Sequence, residues 1–361
     1  MPSPEAEAIE HVRRRAAERR DAATARLLLL AERGDTTVES LLHAIRDRAR
    51  ITLNFHPDRP LADGRTVAQH LLASGRYENQ FVTGISNGSR TAFAGGERDV
   101  WERELFGGAY HGPGVRGEDR PKYGGLNVMH HADGACPRFG SCYFELRPEV
   151  LARSTFTWGD SHLGPVHVGT ADAFEPLLAA LVESVASTGE ALGVTGLSIG
   201  ALVTGLTNDA PAGAPARRAH GRALDAYIEV QVHGDLVLAR DAVALVAEPA
   251  FEGTATGEEL RELCRRYGVE LRAHAGFAMS ADEVPADFRG PRMPALALRV
   301  ARRFGGDRAV LDAAILGRAA QSLHHTPDHW RDWGTPDETL QHIKQLWHVL
   351  VRYGARAART M

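Results

Sequence analysis

The sequence has 361 residues, in which 42 Lys and Arg stand against 46 Asp and Glu, so the formal net charge is −4. Hydrophobic residues make up 43% of the chain and charged residues 24%, proportions that exclude a disordered or fibrous protein. The near-neutral charge also argues against a dedicated nucleic-acid-binding protein, which usually carries a basic excess.

Two helices are predicted at the N-terminus. The first covers residues 3–33 and ends at a glycine, and the second begins at Thr36, where Glu39 completes a capping box. We therefore assign residues 1–50 to an N-terminal helical segment.

The following residues, 51–284, predict an α+β core. Strands are indicated where apolar and β-branched residues begin the run 51–59, in the run 80–89 before it enters a polar turn, and most clearly at 226–234, where polar and apolar residues alternate. Residues 107–141 are rich in Gly and Pro and predict long loops around short strands.

The remaining residues, 285–361, predict a helical C-terminal segment. Its last helix opens at Thr335 with a capping box to Glu338. The expected fold is therefore an α+β core with a mixed or antiparallel sheet and helical flanks at both ends.

Glu229 is the first candidate for chemistry, because it is a carboxylate between apolar neighbours at the centre of a strand. Tyr227, Gln231 and His233 would share its face of the sheet, and all three are side chains that bind ligands. The alternative is that this face is the solvent-exposed side of an antiparallel strand.

Two further candidates lie where predicted strands end in turns. His56 precedes Pro57 at the end of the first strand. The run from Thr83 to Ser89 combines hydroxyl groups, an amide and glycines that allow close backbone approach. Ordinary polar turns are the alternative for both, because the second run lacks the spacing of a phosphate-binding loop.

A metal site is an alternative around residues 130–142. His130, His131, Cys136 and Cys142 lie close in sequence, but their spacing is not that of a structural zinc site, and no metal is expected. A metal-dependent hydrolase or nuclease using the two histidines is kept as an alternative function.

Neither secretion nor membrane insertion is expected. The N-terminus is a charged run, and the longest weakly polar stretch, residues 191–206, is short and interrupted by glycines. Three cysteines are too few for a disulfide framework. The sequence therefore predicts a cytoplasmic protein, of unknown oligomeric state.

Several blocks of the sequence resemble a bacterial family, the domain of unknown function 3626. These blocks, in matching order, are FHPDR (55–59), FVTGISNGS (81–89), KYGGLNV (122–128), RFGSCYFELRPEV (138–150), STFTWGDS (154–161) and YIEVQVHG (227–234). The resemblance covers roughly residues 50–280, and the family name carries no activity.

The order of these elements is also distantly similar to the ADP-ribosyltransferase superfamily. This resemblance implies an ADP-ribosyltransferase-like sheet, NAD as the substrate, Glu229 as the catalytic Glu and His56 as the group on the early strand. Gln231 follows the Glu, which reverses the usual order of that motif. The residues that the resemblance and their chemistry place at the dinucleotide are Arg59, Thr83, Ser86, Asn87, Tyr123 and Gln231.

The identity of the second polar group in that motif order stays open. The run 83–89, Tyr123, Ser141 and Tyr143 are all alternatives for it.

The resemblance and the candidate residues together predict an NAD-consuming ADP-ribosyltransferase or NAD glycohydrolase. A carboxylate beside the ribose would stabilise the oxocarbenium-like charge that develops when the nicotinamide–ribose bond breaks. The acceptor stays open among protein, nucleic acid, small molecule and water, and so does action as a toxin or effector on another cell. A non-enzymatic module that binds a partner through its terminal helices is the other alternative, and it predicts that His56 and Glu229 lie far apart.

Overall fold

The structure, a computed structural model, describes residues 2–31, 36–85, 92–207, 224–306 and 309–355. Its strands are β1 (Arg50–Phe55), β2 (Lys122–Asn127), β3 (Cys142–Leu146), β4 (Ser154–Trp158), β5 (Val168–Thr170), β6 (Ile228–Val232), β7 (Ala242–Ala247), β8 (Glu270–Ala273), β9 (Met279–Ser280) and β10 (Val310–Leu311). Its helices are α1 (Pro4–Ala17), α2 (Arg20–Ala31), α3 (Val38–Arg48), α4 (Val67–Ser74), α5 (Gln80–Thr83), α6 (Glu97–Leu105), α7 (Glu175–Thr188), α8 (Ile199–Thr207), α9 (Leu238–Asp241), α10 (Ala255–Tyr267), α11 (Met293–Phe304), α12 (Ala313–His325) and α13 (Pro336–Tyr353).

Eight strands form one sheet in the order β5-β4-β6-β2-β1-β3-β7-β8, and β9 pairs separately with β10. Neighbouring strands of the large sheet are antiparallel except β7 and β8, which are parallel. The predicted α+β fold with a mixed sheet is therefore confirmed.

One face of the large sheet is apolar and carries the core. Leu53 of β1 lies opposite Phe144 of β3, and Phe156 of β4 lies opposite Val230 of β6. All four side chains are buried. Phe156 also packs edge-on against Phe174 at the start of α7, with ring centroids 5.4 Å apart, so helices cover this face.

The opposite face of the sheet is polar, and it is buried as well. The Asn54 amide donates to the carbonyl of Asp133 (3.1 Å) in the loop after β2. The Trp347 indole of α13 donates to the carbonyl of Pro137 (2.8 Å) in the same loop. Because loop and helix cover this face, Glu229 is only 5% exposed, and the alternative of a solvent-exposed strand face is wrong.

The N-terminal helices differ from their predicted bounds. The single helix predicted over residues 3–33 is two helices, α1 and α2. The next helix, α3, is capped by Thr37 rather than Thr36, since the Thr37 hydroxyl accepts a hydrogen bond from the backbone N–H of Ser40 (3.1 Å).

The strand predicted at the start of the run 80–89 is wrong, because α5 occupies residues 80–83. The Asn79 side chain caps this short helix by accepting hydrogen bonds from the backbone N–H groups of Phe81 (2.8 Å) and Val82 (3.3 Å). Residues 86–91 lie outside the described residues.

The C-terminal helices belong to the main core. The predicted capping box between Thr335 and Glu338 is confirmed at the start of α13. The largest apolar cluster joins side chains from all three predicted segments, among them Leu41, Leu53 and Leu346. None of the described helices has the length and apolar character needed to cross a bilayer.

Candidate functional site

A cavity of about 310 Å³ lies against the polar face of the sheet. Side chains from the end of β1, from α6, β2 and β6, and from α13 line it. The lining includes His56, Arg59, Thr83, Tyr123 and Glu229. Five of the residues predicted from the sequence therefore share one cavity. The interaction-module alternative predicts instead that His56 and Glu229 lie far apart, in no common pocket.

Glu229 lies at the centre of β6, between Gly125 of β2 and Thr157 of β4. One carboxylate oxygen accepts a hydrogen bond from the Gln231 amide (2.8 Å), and the other accepts a longer one from the Tyr227 hydroxyl (3.4 Å). A side chain at Gly125 would clash with Ala135, so this glycine allows the loop after β2 to lie close against the sheet. Neighbouring groups therefore fix the Glu229 side chain against the cavity wall.

The electrostatic surroundings of Glu229 favour its protonated form. Burial raises the pKa of this carboxyl to about 7, and the nearby Asp160 carboxylate acts in the same direction. The Gln231 hydrogen bond and the positive charge of Arg98 oppose the shift. Glu229 therefore titrates near neutral pH. A cationic ligand bound beside it would favour the charged form.

Asp160, next to Glu229 in the cavity lining, is held in its charged form. Arg138 donates to its carboxylate (2.9 Å), and the His162 ring nitrogen lies 2.6 Å from the other oxygen. These partners lower the pKa of Asp160 despite its burial. Among the described lining residues, Asp160 is paired with Arg138 and Glu78 with His70 (2.9 Å), whereas the Glu229 carboxylate has no such ion pair.

His56 follows the last residue of β1 and lies edge-on to the Trp347 ring, with centroids 5.3 Å apart. Burial, followed by the charges of Arg59 and Lys344, lowers the pKa of His56 to about 3. The imidazole is therefore neutral at physiological pH, with one nitrogen able to donate and the other able to accept a hydrogen bond.

The second wall of the cavity is basic. Burial lowers the pKa of Arg59 to about 10, which leaves it charged at neutral pH. Burial and the Arg59 charge lower the pKa of the neighbouring Lys344 to about 7. Arg289 and His348 line the same cavity, but burial lowers the pKa of His348 to about 3, so that of these two residues only Arg289 adds charge. An anionic part of a ligand would meet favourable charge here.

The predicted residues of the run 83–89 are only partly described. Thr83 ends α5, and its hydroxyl donates to the Asn79 carbonyl (3.1 Å) and accepts from the N–H of Ile85 (3.3 Å). Ser86 and Asn87 lie outside the described residues, so their predicted contacts stay predictions.

The alternatives for the second polar group differ in position. The Tyr123 hydroxyl donates to Glu102 (2.8 Å) while its side chain lines the cavity. Ser141 and Tyr143 are not among the lining residues, and the Tyr143 hydroxyl donates to the Ala132 carbonyl (3.0 Å). Of the alternatives that the structure describes, Tyr123 and Thr83 are the side chains with hydroxyl groups that line this cavity.

Gln231, predicted to contact the dinucleotide, is not a lining residue. Its side chain is buried between the strands, where its amide nitrogen donates to Glu229 and its amide oxygen accepts from the Thr155 hydroxyl (2.8 Å). Gln231 therefore orients the candidate catalytic carboxylate.

The histidines and cysteines of residues 130–142, which were considered as metal ligands, are engaged or buried in other ways. A ring nitrogen of His131 lies 2.7 Å from the Leu192 carbonyl, and Cys136 and Cys142 are buried free thiols. Among the residues that the structure describes, no group of three or more His, Cys, Asp or Glu side chains is arranged to hold a metal ion. The metal-hydrolase alternative has no ligand set within that part of the chain.

The comparison with known families matches this architecture to one of them. The family described as "Protein of unknown function (DUF3626)" matches residues 50–353, from the start of β1 to the end of α13. The chain belongs to the DUF3626 family. The match extends beyond the range 50–280 of the resembling blocks, so the family unit includes the C-terminal helices. No curated protein shows significant similarity to the chain.

Sequence reasoning missed Arg98 in this DUF3626 protein. Arg98 belongs to the first turn of α6 and is 8% exposed, and it lines the cavity beside Tyr123 and Glu229. A helix with as many charges as α6 is usually a solvated surface helix. Trp101 lies one helical turn after Arg98 and is the only aromatic residue within α6. Its position was the sequence feature that could have indicated a buried face of this helix.

Proposed function

We propose that this DUF3626 protein consumes NAD by breaking the bond between nicotinamide and ribose and passes the ADP-ribosyl group to an acceptor or to water. The observation that carries the proposal is a buried carboxylate, Glu229, that has no cationic partner among the described residues and shares its cavity with His56 and Arg59. The superfamily resemblance of the motif order supports the same reaction.

Glu229 would act on the charge that develops at the ribose. As the bond to nicotinamide breaks, positive charge spreads over C1′ and the ring oxygen, as in glycoside cleavage. A carboxylate already fixed beside that position stabilises the transition state without reorganising, and enzymes commonly gain most of their rate acceleration in this way. Burial raises the pKa of Glu229 to about 7, and the cationic nicotinamide ring would favour its ionised form on binding.

The other groups of the cavity suit the rest of the dinucleotide. The neutral His56 imidazole is able to hydrogen-bond a ribose hydroxyl, and the Arg59 guanidinium suits pyrophosphate oxygens. Tyr123 and Trp101 add aromatic surface to the cavity lining. The volume of about 310 Å³ is at the lower end for small-molecule sites, so part of the dinucleotide would extend through the opening.

The decisive experiment is nicotinamide release from NAD, measured with the purified full chain alone and with cell lysate as a source of acceptors. We expect release by the wild type and a loss of about 10²–10³-fold in Glu229→Gln. The matched control is Glu145→Gln, which removes a carboxylate of β3 that pairs with Arg272 outside the cavity (3.4 Å). A wild-type protein that neither binds nor consumes NAD under both conditions contradicts the proposal.

A further inference from the structure

Arg98 brings to the cavity hydrogen-bond donors that no described residue uses. The residue is 8% exposed, and its Nε and Nη1 atoms are buried without a hydrogen-bond partner among the described residues. A buried donor left unsatisfied is costly, and such groups in native proteins commonly have a functional reason. A ligand that accepts hydrogen bonds from Arg98 would satisfy these donors.

Aromatic rings fix the position of the Arg98 guanidinium. Its central carbon lies 4.7 Å from the ring centroid of Trp101 and 4.4 Å from that of Tyr123. Because rings cover the flat faces of a guanidinium and leave its N–H edges free, stacking of this kind orients the donors. The free edge suits the two oxygens of a carboxylate or phosphate group.

The acidic neighbours of Arg98 do not fill this edge. The Glu102 carboxylate lies 4.0 Å from Nη1, which is beyond hydrogen-bond distance. Glu102 accepts hydrogen bonds from Arg120 (2.9 Å) and from the Tyr123 hydroxyl (2.8 Å) instead. Asp99 is likewise held by Arg120, at 2.5 Å. Arg120, a second cation, therefore engages the Asp99 and Glu102 carboxylates.

The position of Arg98 near Glu229 limits what it can do in the proposed reaction. Arg98 and a ribose that becomes cationic together place two positive charges beside the single negative charge of Glu229, so a further anion at Arg98 would be favourable. We infer that Arg98 binds an oxyanion of the acceptor, a carboxylate or a phosphate group, beside Glu229. This inference rests on the proposed function for the transfer step, whereas oxyanion binding stands independently of it.

The transfer that follows is balanced without a separate base. The C1′–N bond of NAD breaks, and its electron pair leaves with nicotinamide, which becomes neutral. A lone pair of the oxyanion forms the new C1′–O bond, and the negative charge of that oxygen is lost in the ester. No proton has to be removed from an acceptor that is already ionised, so the carboxylate of Glu229 is needed only for electrostatic stabilisation.

Binding of the oxyanion is tested by calorimetric titration of the full chain with inorganic phosphate and, separately, with acetate at low ionic strength. We expect at least one to bind the wild type and to bind Arg98→Gln about tenfold or more weakly. Arg98→Lys should bind with intermediate affinity, because it keeps the positive charge but loses the planar pair of N–H donors of the guanidinium. Arg103→Gln is the matched control, an exposed arginine of the same helix. No binding to the wild type, or equal binding to Arg98→Gln, overturns the inference.

The acceptor role is tested by nicotinamide release and mass analysis of the product with a phosphate monoester or a carboxylate as acceptor. Ester formation that depends on Arg98 supports the inference and identifies the preferred oxyanion. A higher KM for NAD in Arg98→Gln with unchanged acceptor use overturns it, because Arg98 would then bind NAD's own pyrophosphate. Phosphate or acetate binding without any NAD consumption overturns the acceptor role together with the proposed function and leaves a plain oxyanion site.

Discussion

The Gln231 side-chain amide donates a 2.8 Å hydrogen bond to the Glu229 carboxylate two residues earlier on the same strand. The Thr155 hydroxyl donates to Gln231 (2.8 Å), and His233 Nε2 lies 3.0 Å from that hydroxyl. The Tyr110 hydroxyl lies 2.6 Å from the other nitrogen of His233. With His233 neutral and protonated on Nε2, every donor in this chain of hydrogen bonds points toward Glu229.

These hydrogen bonds predict how the activity depends on pH. For the wild type, we expect the proposed nicotinamide release to rise with pH around a midpoint near 7, because the carboxylate form of Glu229 is the active one. In Gln231→Met the hydrogen bond that favours the charged form is lost, so the midpoint should rise by about one to two pH units. The measurement is the pH profile of kcat/KM for NAD.

An unchanged midpoint in Gln231→Met would contradict the assignment of the titration to Glu229. The control is the double variant Glu229→Gln with Gln231→Met, whose residual rate should have no midpoint in this range.

The raised pKa of Glu229 should make the free energy of unfolding depend on pH. The folded protein holds the proton on this carboxyl up to about pH 7, whereas the unfolded chain releases it near the ordinary value of 4.5. Stability is therefore lost as the pH rises through this window, by about 3 kcal/mol from this group alone. Relative to wild type, Glu229→Gln should gain about that much unfolding free energy between pH 4 and pH 8, measured by urea denaturation at both pH values.

Other buried acids, such as Asp58 and Glu248 with raised pKa values of about 7 and about 8, titrate in both proteins and cancel in that difference. If the difference between variant and wild type is the same at both pH values, Glu229 is not a raised-pKa group.

His56 should act through hydrogen bonding rather than through charge. Because its pKa is lowered to about 3, no loss of activity between pH 5 and pH 7 should depend on its protonation. His56→Ala should raise KM for NAD about three- to tenfold, the worth of one neutral hydrogen bond. His56→Asn, which keeps a donor and an acceptor, should recover part of this loss. Steady-state kinetics of the three proteins test the point, and an equal KM in all of them would contradict it.

Trp347 joins the C-terminal helix to the loop over the polar face through its 2.8 Å hydrogen bond to the Pro137 carbonyl. Trp347→Phe leaves that buried carbonyl without its donor and should lower the free energy of unfolding by about 1–3 kcal/mol. It should also raise KM for NAD, because His56 packs on the same ring. Trp333→Phe, 9% exposed in the wild type, is the control.

A Trp347→Phe protein as stable as wild type would mean that the indole hydrogen bond contributes nothing to the docking of α13. Thermal and urea unfolding of both tryptophan variants decide this.

The sequence was sufficient to locate Glu229 and His56, because strand alternation and strand ends are local patterns. It could not reveal that the polar face of β6 is buried, since alternation shows only that two faces differ. The cover comes from the Gly- and Pro-rich loop after β2 and from α13, which meet that face only in the folded chain.

Two other differences have local causes that are visible in the structure. The Asn79 side chain caps α5 and overrides the apolar, β-branched residues that predicted a strand there. Arg98 was missed because its helix is buried through the pairing of Arg120, in the segment before β2, with Asp99 and Glu102 of α6. Pairing of this kind allows a charged helix face to be buried, and sequence spacing alone does not indicate it.

The cavity is lined by residues from Asn54, in the first strand, to His348, in the last described helix. A chain emerging from the ribosome therefore carries Glu229 and His56 well before the wall contributed by α13 exists. Synthesis of α13 would be the step that completes the site, so truncated chains that stop before it should lack the closed cavity even where their sheet has formed. If the protein consumes NAD as proposed, this order of assembly delays the activity until α13 has been synthesised.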